Sequence, residues 1–221
     1  MSSVSNPSHA PVMHDEVIAG LEIKPKGRYV DGTYGRGGHA RSILAELDQD
    51  GHLIVMDRDP QAIADARATF GADDRVTIIH DDYANLRERI AEFDLLEQVD
   101  GILLDIGVSS PQLDAADRGF SFQHNGPLDM RMNPEQGESA AEWLQRADEA
   151  EIARVLWEYG EERHSRRIAR KLVEIRATRP IDDTATLASI ISSLMPRPKN
   201  NRHPATRSFQ AIRIHINNEL E

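Results

Sequence analysis

A glycine-rich stretch near the start of the chain carries the clearest chemical signal. It reads Val30-Asp-Gly-Thr-Tyr-Gly-Arg-Gly-Gly-His39 and leads into a helix-like segment, Gly38–Leu47. A second apolar run, His52–Met56, ends in another acid, Asp57. Glycines let the backbone approach a ligand closely, and an acid that ends the next strand can accept hydrogen bonds from ribose hydroxyls. The pattern therefore predicts a binding site for an adenosine-containing cofactor.

The order of the glycines favours one such cofactor over another. Dinucleotide-binding turns space their glycines as G-x-G-x-x-G, which sets a pyrophosphate on a helix N-terminus. Here the order is Gly32-x-x-Gly35-x-Gly37-Gly38, and Asp31 stands directly before it. An acid at this position repels a pyrophosphate but can bind the ammonium group of S-adenosylmethionine, which carries no phosphate. A nicotinamide-dependent oxidoreductase is therefore the disfavoured alternative.

The first half of the chain alternates strand-like and helix-like segments, which predicts a parallel sheet in an α/β fold. Strands are expected over 28–31, 52–57, 76–80 and 99–105, with helices over 38–47, 60–70 and 85–96. Asp59 is the expected N-cap of the second helix, and Pro60 its first residue. Ligands of such sheets bind beyond the carboxyl ends of the strands, where the chain places Asp31, Asp57, Asp82, Tyr83 and Asp105.

The second half begins with a long segment without periodicity, residues 106–137, which is expected to be an ordered, packed loop. Helices are then predicted over 140–147, 149–159, 165–177, 184–194 and 209–220, with a polar connection over 197–204. Ser139 and Glu142 match a capping box at the start of the first of these helices. Trp143 and Trp157 lie on helix-like segments and are both expected in the core.

Charge is distributed unevenly along the chain. The net charge is −11, yet residues 163–213 hold twelve basic residues against three acidic ones, a local +9 that leaves −20 for the rest. An acidic body with one basic region suggests a localised contact with a polyanion. The alternative interpretation is a solvated, arginine-rich helix face, and the charges alone do not decide between the two.

Composition excludes several kinds of site. The chain has no cysteine, so it has no disulfide, thiolate metal ligand or cysteine nucleophile, which fits the cytoplasm. Its nine histidines are scattered, so no metal site is expected. No apolar run approaches the roughly 18–20 residues of a membrane span, so no membrane partner is expected. Residues 1–8 lack the features of a secretory signal and are expected to form a loose tail.

Seven blocks of the chain carry a family resemblance. They are Val30–His39, Asp57–Pro60, Asp100–Asp114, Arg118–Phe122, Gly126–Met132, Tyr159–Arg163 and His203–Ala211. In this order they resemble the bacterial small-subunit ribosomal RNA cytosine-N4 methyltransferases, and the resemblance runs from about residue 9 to residue 221. It implies an α/β, Rossmann-like S-adenosylmethionine methyltransferase sheet, at 1–112, with an inserted helical subdomain at 113–208. Residues 209–221 would begin the return to the methyltransferase domain.

The resemblance also implies a set of site residues and a substrate. The cofactor-binding residues carried over from the family are Gly37, Gly38, His39, Asp57, Tyr83, Asp105 and Gln112. Among these, Asp57 would take the ribose hydroxyls, and Tyr83 would cover the adenine where the family more often has phenylalanine. The implied substrate is a decoding-region cytosine of 16S ribosomal RNA in the assembled small subunit, and the basic, helical part would meet that RNA. The oligomeric state stays open.

Asp105 is the candidate catalytic residue. The exocyclic amine of cytosine is a poor nucleophile because its lone pair is delocalised into the ring. A carboxylate that accepts one of its N–H bonds would localise that lone pair and later receive the proton. Exocyclic-amine methyltransferases generally carry Asp/Asn-Pro-Pro-aromatic here, and Asp105-Ile-Gly-Val108 departs from that motif. Asp105 is therefore expected either to catalyse or only to hold the cofactor.

The family pattern continues beyond the block that matches Asn217–Glu221, into a further helix and further strands. The chain is therefore expected to lack the family's C-terminal part. A parallel sheet without its later strands would leave an apolar edge or face open. A catalytically incomplete RNA-binding or assembly module is accordingly the alternative function.

Overall fold

The computed structural model describes residues 13–195 and 203–220, and the chain divides into two compact units, Met1–Ile106 and Gly107–Glu221. The predicted N-terminal tail and most of the predicted connection over 197–204 lie outside the described residues. The predicted division by function into 1–112, 113–208 and 209–221 stays a prediction.

The first unit is a Rossmann-like α/β fold, as predicted. Its sheet is entirely parallel and has the order β3-β2-β1-β4, with β1 at Arg28–Asp31, β2 at His52–Asp57, β3 at Val76–His80 and β4 at Gly101–Leu103. The helices are α1 at His14–Leu21, α2 at Gly38–Glu46, α3 at Pro60–Phe70 and α4 at Leu86–Ala91, with a 3-10 turn at Tyr83–Asn85. The chain steps outward from β1 through β2 to β3 and then returns to the other side of β1. The carboxyl end of β1 is therefore the switch point where ligands of such sheets bind.

Local signals placed most of these elements correctly. Asp59 caps α3 by accepting a hydrogen bond from the backbone N–H of Gln61, and Pro60 is the first helical residue, as predicted. The predicted helix over 85–96 was too long, because α4 ends at Ala91 and Asp94 adopts a left-handed backbone conformation with φ of 56°. The predicted fourth strand was also too long. Asp105 lies beyond β4, and its N–H donates to the Thr33 hydroxyl instead of to a strand.

The second unit is helical. Its elements are α5 at Ser110–Asp114, a 3-10 turn at Ala116–Arg118, α6 at Ala140–Arg146, α7 at Glu149–Glu158, α8 at Ser165–Arg176, α9 at Thr184–Leu194 and α10 at Thr206–Ile216. Its core surrounds Trp143 and includes Leu128 and Met130 from the long predicted loop. That loop is thus ordered and packed, as predicted, although it also contains α5. The Ser139–Glu142 capping box is present.

Side-chain contacts and exposures show further features of this unit. Asp129 and Arg131 form a bidentate ion pair with each other within the long loop. Trp143 is fully buried, as predicted. The prediction for Trp157 was wrong, because its side chain is 59% exposed on the last turn of α7. The final helix begins three residues earlier than predicted and ends at Ile216, before Asn218 turns left-handed with φ of 48°.

Two surface features complete the description. The described ranges contain no helix that is long and apolar enough to cross a membrane. At the open edge of the sheet, Ile102, Leu104 and Ile106 on and after β4 are 48%, 41% and 52% exposed. These three side chains form an exposed apolar edge beside β4.

Candidate active site

The glycine-rich turn between β1 and α2 is fixed to both neighbouring strands. The N–H of Gly32 donates to the Leu103 carbonyl of β4 at 2.9 Å, and the N–H of Tyr34 donates to the Met56 carbonyl of β2 at 3.0 Å. Gly35 and Gly37 have φ values of 55° and 66°, in the left-handed region that glycine adopts without strain. A Cβ atom at position 37 would also lie only 2.5 Å from Cε2 of the Tyr34 ring, which is too close for a side chain. The turn therefore has one defined backbone conformation at the switch point, the carboxyl end of β1.

Carboxylates from three strand ends meet beneath this turn. Asp31 ends β1, is 1% exposed, and accepts a hydrogen bond from the Thr33 N–H at 3.1 Å. Asp57 ends β2 and accepts hydrogen bonds from the N–H groups of Gly35 at 2.8 Å and Asp59 at 2.9 Å. Asp105 follows β4, and its side chain is 54% exposed. The turn, the carboxylates and the strand ends thus form one hydrogen-bonded assembly.

The electrostatics of this cluster favour a cationic ligand. The pKa of Asp31 is raised to about 7, mainly by burial and to a smaller extent by the charges of Asp57 and Asp105. Burial is also the main cause that raises the pKa of Asp57. Within the described part of the chain, no lysine or arginine forms an ion pair with any of the three. A positively charged group placed here would stabilise the ionised carboxylates, whereas a pyrophosphate would be repelled.

His39 adds two unused hydrogen-bonding atoms to the same site. The residue lies in the first turn of α2, and both of its ring nitrogens are buried without a hydrogen-bond partner among the described residues. Its Nε2 lies 3.9 Å from Oδ2 of Asp105, and its ring stacks on His14 with a centroid distance of 5.9 Å. Burial lowers the pKa of His39, so the imidazole is neutral and can both donate and accept a hydrogen bond.

Tyr83 follows β3 at the start of the 3-10 turn. Asp82 caps this turn by accepting a hydrogen bond from the Ala84 N–H at 3.0 Å, and it pairs with Arg58 at 2.8 Å. The Cβ of Tyr83 lies 3.6 Å from the point where a Cβ on Gly32 would stand. The base of this aromatic side chain therefore adjoins the glycine-rich turn.

The structure gathers most of the predicted site residues around one edge of the sheet. Six of them lie in the first unit, namely Gly37, Gly38, His39, Asp57, Tyr83 and Asp105. The seventh, Gln112, belongs to the second unit, where its Oε1 accepts the Ser109 N–H at 2.9 Å in the capping box of α5. Sequence reasoning missed His14, since nothing in a short N-terminal helix indicates which ring it stacks on.

The side chains that are present fit S-adenosylmethionine. Three unneutralised carboxylates suit its ammonium and sulfonium charges, and the His39 nitrogens offer hydrogen bonds that no group in residues 13–195 and 203–220 takes. The carboxylate of Asp57 still has free lone pairs after its two backbone bonds, so it can also accept from ribose hydroxyls.

Comparisons with known proteins agree with this chemistry. A sequence model of the MraW methylase family matches residues 6–221. The ribosomal RNA small subunit methyltransferase H of Stenotrophomonas maltophilia (strain K279a) is 58% identical over 212 residues, which cover 96% of this chain and 65% of that protein. The protein of the same name from Xanthomonas axonopodis pv. citri (strain 306) is 58% identical over 218 residues, which cover 99% of this chain and 63% of its own length. The chain thus spans slightly less than two thirds of these relatives.

Proposed function

This chain belongs to the MraW methylase family, and we propose that it transfers a methyl group from S-adenosylmethionine to a cytosine of 16S ribosomal RNA. The finer proposal is that the acceptor is the N4 amine of a decoding-region cytosine, in the assembled small subunit in the cytoplasm. The observation that carries the cofactor assignment is the carboxylate cluster at the end of the glycine-rich turn, in which the buried Asp31, the partly buried Asp57 and the exposed Asp105 have no lysine or arginine partner among the described residues. The names of the relatives support ribosomal RNA as the substrate.

Each site residue has a proposed role in holding the cofactor. The turn at Gly37 and Gly38 would lie against it, Asp57 would bind the ribose hydroxyls, and Tyr83 would cover the adenine. His39 would hydrogen-bond the methionine end through a ring nitrogen that is otherwise unpaired. Gln112 is proposed as a further cofactor-binding residue on the family resemblance alone. When bound, S-adenosylmethionine supplies a methyl group that is already electrophilic because it sits on a sulfonium.

The protein's own task is then to align and activate the acceptor amine. We propose that the carboxylate of Asp105 accepts one N–H of the cytosine amine, which localises the nitrogen lone pair toward the methyl carbon. Formation of the new N–C bond would break the bond from the methyl carbon to the sulfonium, which would leave as a neutral thioether, and the amine proton would pass to Asp105 or to water at its exposed face. The exposure of Asp105 fits this role, since the target base has to reach the carboxylate from outside. The base would leave its stack to do so.

The test is transfer of labelled methyl groups to small ribosomal subunits that lack the modification, followed by nucleoside analysis. Recovery of N4-methylcytidine is the expected result. Label in another nucleoside would overturn the N4 proposal, and label in naked RNA but not in subunits would overturn the substrate proposal.

The second candidate function is an RNA-binding or assembly module without methyl transfer. The observation that favours it is the apolar edge formed by Ile102, Leu104 and Ile106, since a sheet with an open face can be an incomplete catalytic domain. A full-length relative assayed in parallel separates the two. Methyl transfer by the relative alone, with RNA binding by both, would support the second function.

A further inference from the structure

The two tryptophans of the chain have opposite environments. Trp143 is fully buried in the core of the second unit, whereas Trp157 is the most exposed large apolar side chain of α7, at 59%. The buried face of α7 is formed by Ile152, Val155 and Leu156, and Trp157 lies outside that face. A large aromatic side chain that is left in water contributes little to the fold, so its position calls for another explanation.

Four arginines lie on the elements that adjoin the C-terminal end of α7, which carries Trp157. Arg163, Arg166 and Arg167 lie on the connection to α8 and in its first turn, and all are exposed. Arg207 comes from α10 and donates to the backbone carbonyl of Glu161 at 3.1 Å. We call this group, Trp157 with Arg163, Arg166, Arg167 and Arg207, the α7–α8 corner. It joins three helices of the second unit.

The cations of the corner differ from those elsewhere on the same helix pair. Arg154 pairs with Glu158 at 2.7 Å, Arg170 with Glu149 at 3.5 Å, and Lys171 with Glu174 at 2.9 Å. No arginine of the corner has a carboxylate partner among the described residues.

The acids at the corner do not neutralise these arginines. Glu162 is buried and accepts the N–H of His164 at 2.9 Å, which leaves Glu161 as the exposed carboxylate of the connection 159–164. The corner therefore presents four guanidinium groups to solvent against the carboxylate of Glu161, because the neighbouring Glu158 is paired with Arg154.

The position of these cations also works against the helix that carries them. The first turn of α8 contains Arg166 and Arg167 and no acid. The N-terminus of a helix has a partial positive charge, so cations there are destabilising and acids would be preferred. Arg166 and Arg167 thus oppose the helix dipole and form no ion pair within the described part of the chain. Their arrangement suits an external polyanion.

We propose that the α7–α8 corner binds a single-stranded segment of RNA, with one base stacked on the Trp157 indole and the flanking phosphates held by the arginines. The inference rests on the proposed function and specifies where the RNA substrate is held. A duplex hides its base faces, whereas unpaired bases stack on aromatic side chains while the backbone follows a basic surface. An acidic protein surface would pair with the guanidinium groups but would offer no reason for the exposed indole.

Tryptophan fluorescence gives a direct test, because Trp143 is buried and only Trp157 is open to a ligand. The 221-residue chain is titrated at low salt with a single-stranded 12-mer of RNA and, separately, with the same 12-mer in a duplex. Saturable quenching by the single strand, at least fivefold tighter than by the duplex, is the expected result. Equal quenching by both would overturn the inference.

Variants separate stacking from charge. Labelled RNA and fluorescence anisotropy give the affinities, and Trp157→Ala is expected to lose about fivefold to a hundredfold. Trp157→Phe, which keeps an aromatic ring, is expected to stay within about threefold. The affinity falls with salt, and the slope of log K against the logarithm of the salt concentration measures the number of phosphate contacts. In the triple variant Arg163→Ala/Arg166→Ala/Arg167→Ala the magnitude of this salt slope is expected to fall by about 2, since each phosphate contact on a single strand contributes about 0.7.

The matched control is Arg154→Ala/Arg170→Ala/Lys171→Ala, which removes three cations from the same two helices. These cations are paired with carboxylates, so the salt slope is expected to change by less than 1. An equal loss in both triple variants would overturn the inference, because binding would then follow net charge alone. All substituted side chains are wholly or partly exposed, and a thermal melt checks that the variants fold.

The inference and the proposed function fail in different ways. S-adenosylmethionine binding and methyl transfer that persist in Trp157→Ala with unchanged RNA affinity would overturn the inference alone. Quenching of Trp157 by RNA without any methyl transfer, beside an active full-length relative, would support the corner and overturn the catalytic proposal for these 221 residues.

Discussion

His39 Nε2 lies 3.9 Å from Asp105 Oδ2, and both ring nitrogens of His39 are buried without a hydrogen-bond partner among the described residues. Two unsatisfied buried nitrogens cost folding free energy, of the order of 1–3 kcal/mol for a polar group. A histidine that is kept at this cost beside a carboxylate cluster is explained if a ligand takes the free hydrogen bonds. The unpaired nitrogens of His39 are therefore expected to lower the stability of the fold and to contribute to ligand binding, and these two effects can be measured separately.

Substitution His39→Phe tests that separation. The variant keeps a ring that can stack on His14 but removes the unpaired nitrogens, so the free energy of unfolding of the ligand-free chain is expected to rise by about 1 kcal/mol. The affinity for S-adenosylmethionine is expected to fall at least tenfold. Urea denaturation and calorimetry measure the two effects. The control His52→Phe removes a histidine whose Nε2 is already bonded to Thr77 at 2.9 Å, and it should leave cofactor affinity unchanged. A less stable His39→Phe chain with normal affinity would contradict the assignment.

The raised pKa of Asp31 predicts a pH dependence of stability. The folded pKa of about 7 exceeds the ordinary value of 3.8, so the folded state binds the extra proton as pH falls through 7 and becomes more stable. Asp31 is therefore expected to contribute about 1 kcal/mol more stability to the ligand-free chain at pH 6.5 than at pH 8.5. His39 and His52, whose pKa values are lowered, act in the opposite sense as pH falls toward their ordinary value of 6.5, so the Asp31 contribution is measured as the difference between the original chain and Asp31→Asn. Asp31→Asn keeps an acceptor for the Thr33 N–H and is expected to remove this contribution from the pH dependence. An unchanged pH dependence in that variant would contradict the account.

The titration of Asp31 also predicts how cofactor binding depends on pH. A cationic ligand prefers the ionised Asp31, so the affinity for S-adenosylmethionine is expected to rise as pH increases from 6 to 8. In Asp31→Asn this increase is expected to be smaller. Titrations at three pH values measure it, and an affinity that falls toward pH 8 would rule out a cation at the carboxylate cluster.

Asp105 has two proposed roles that kinetics can distinguish. If its carboxylate activates the cytosine amine, Asp105→Asn is expected to lower kcat at least a hundredfold while the affinity for S-adenosylmethionine changes less than fivefold. A loss of affinity with little loss of kcat would assign the residue to cofactor binding alone. Methyl transfer at the normal rate by Asp105→Ala would end the catalytic assignment. Asp50→Asn, at an exposed ion pair with Lys26, serves as the control.

The apolar edge beside β4 predicts a solubility defect that substitution can relieve. Ile102 and Ile106 are about half exposed, and threonine keeps the β-branched shape that a strand favours. Ile102→Thr/Ile106→Thr is expected to bind less of a hydrophobic dye and to aggregate at a higher temperature, with little change in unfolding free energy. Unchanged dye binding and aggregation would show that these side chains are covered in solution.

Sequence predicted the parts of the fold that depend on local chemistry. The N-cap at Asp59 and the capping box at Ser139 are decided within three residues of each cap, and both are present. The strand ends at Asp31 and Asp57 were also correct, because an apolar run and the turn after it are visible in one sequence.

Features that depend on packing between distant segments were predicted less well. The end of α4 and the length of β4 depend on tertiary hydrogen bonds, such as that from the Asp105 N–H to Thr33. Trp157 was misplaced although a signal existed, since Ile152, Val155, Leu156 and Tyr159 form the apolar stripe of α7 and Trp157 falls outside it. The stacking of His14 on His39 has no sequence signal at all.

Isothermal titration calorimetry tests most directly whether the carboxyl edge of this sheet binds S-adenosylmethionine. We expect one site for S-adenosylmethionine, no measurable binding of NAD, and at least a tenfold loss of affinity in Asp57→Asn with the fold intact by circular dichroism. Binding of NAD at comparable strength, or an Asp57→Asn chain that binds S-adenosylmethionine as tightly as the original, would contradict this expectation.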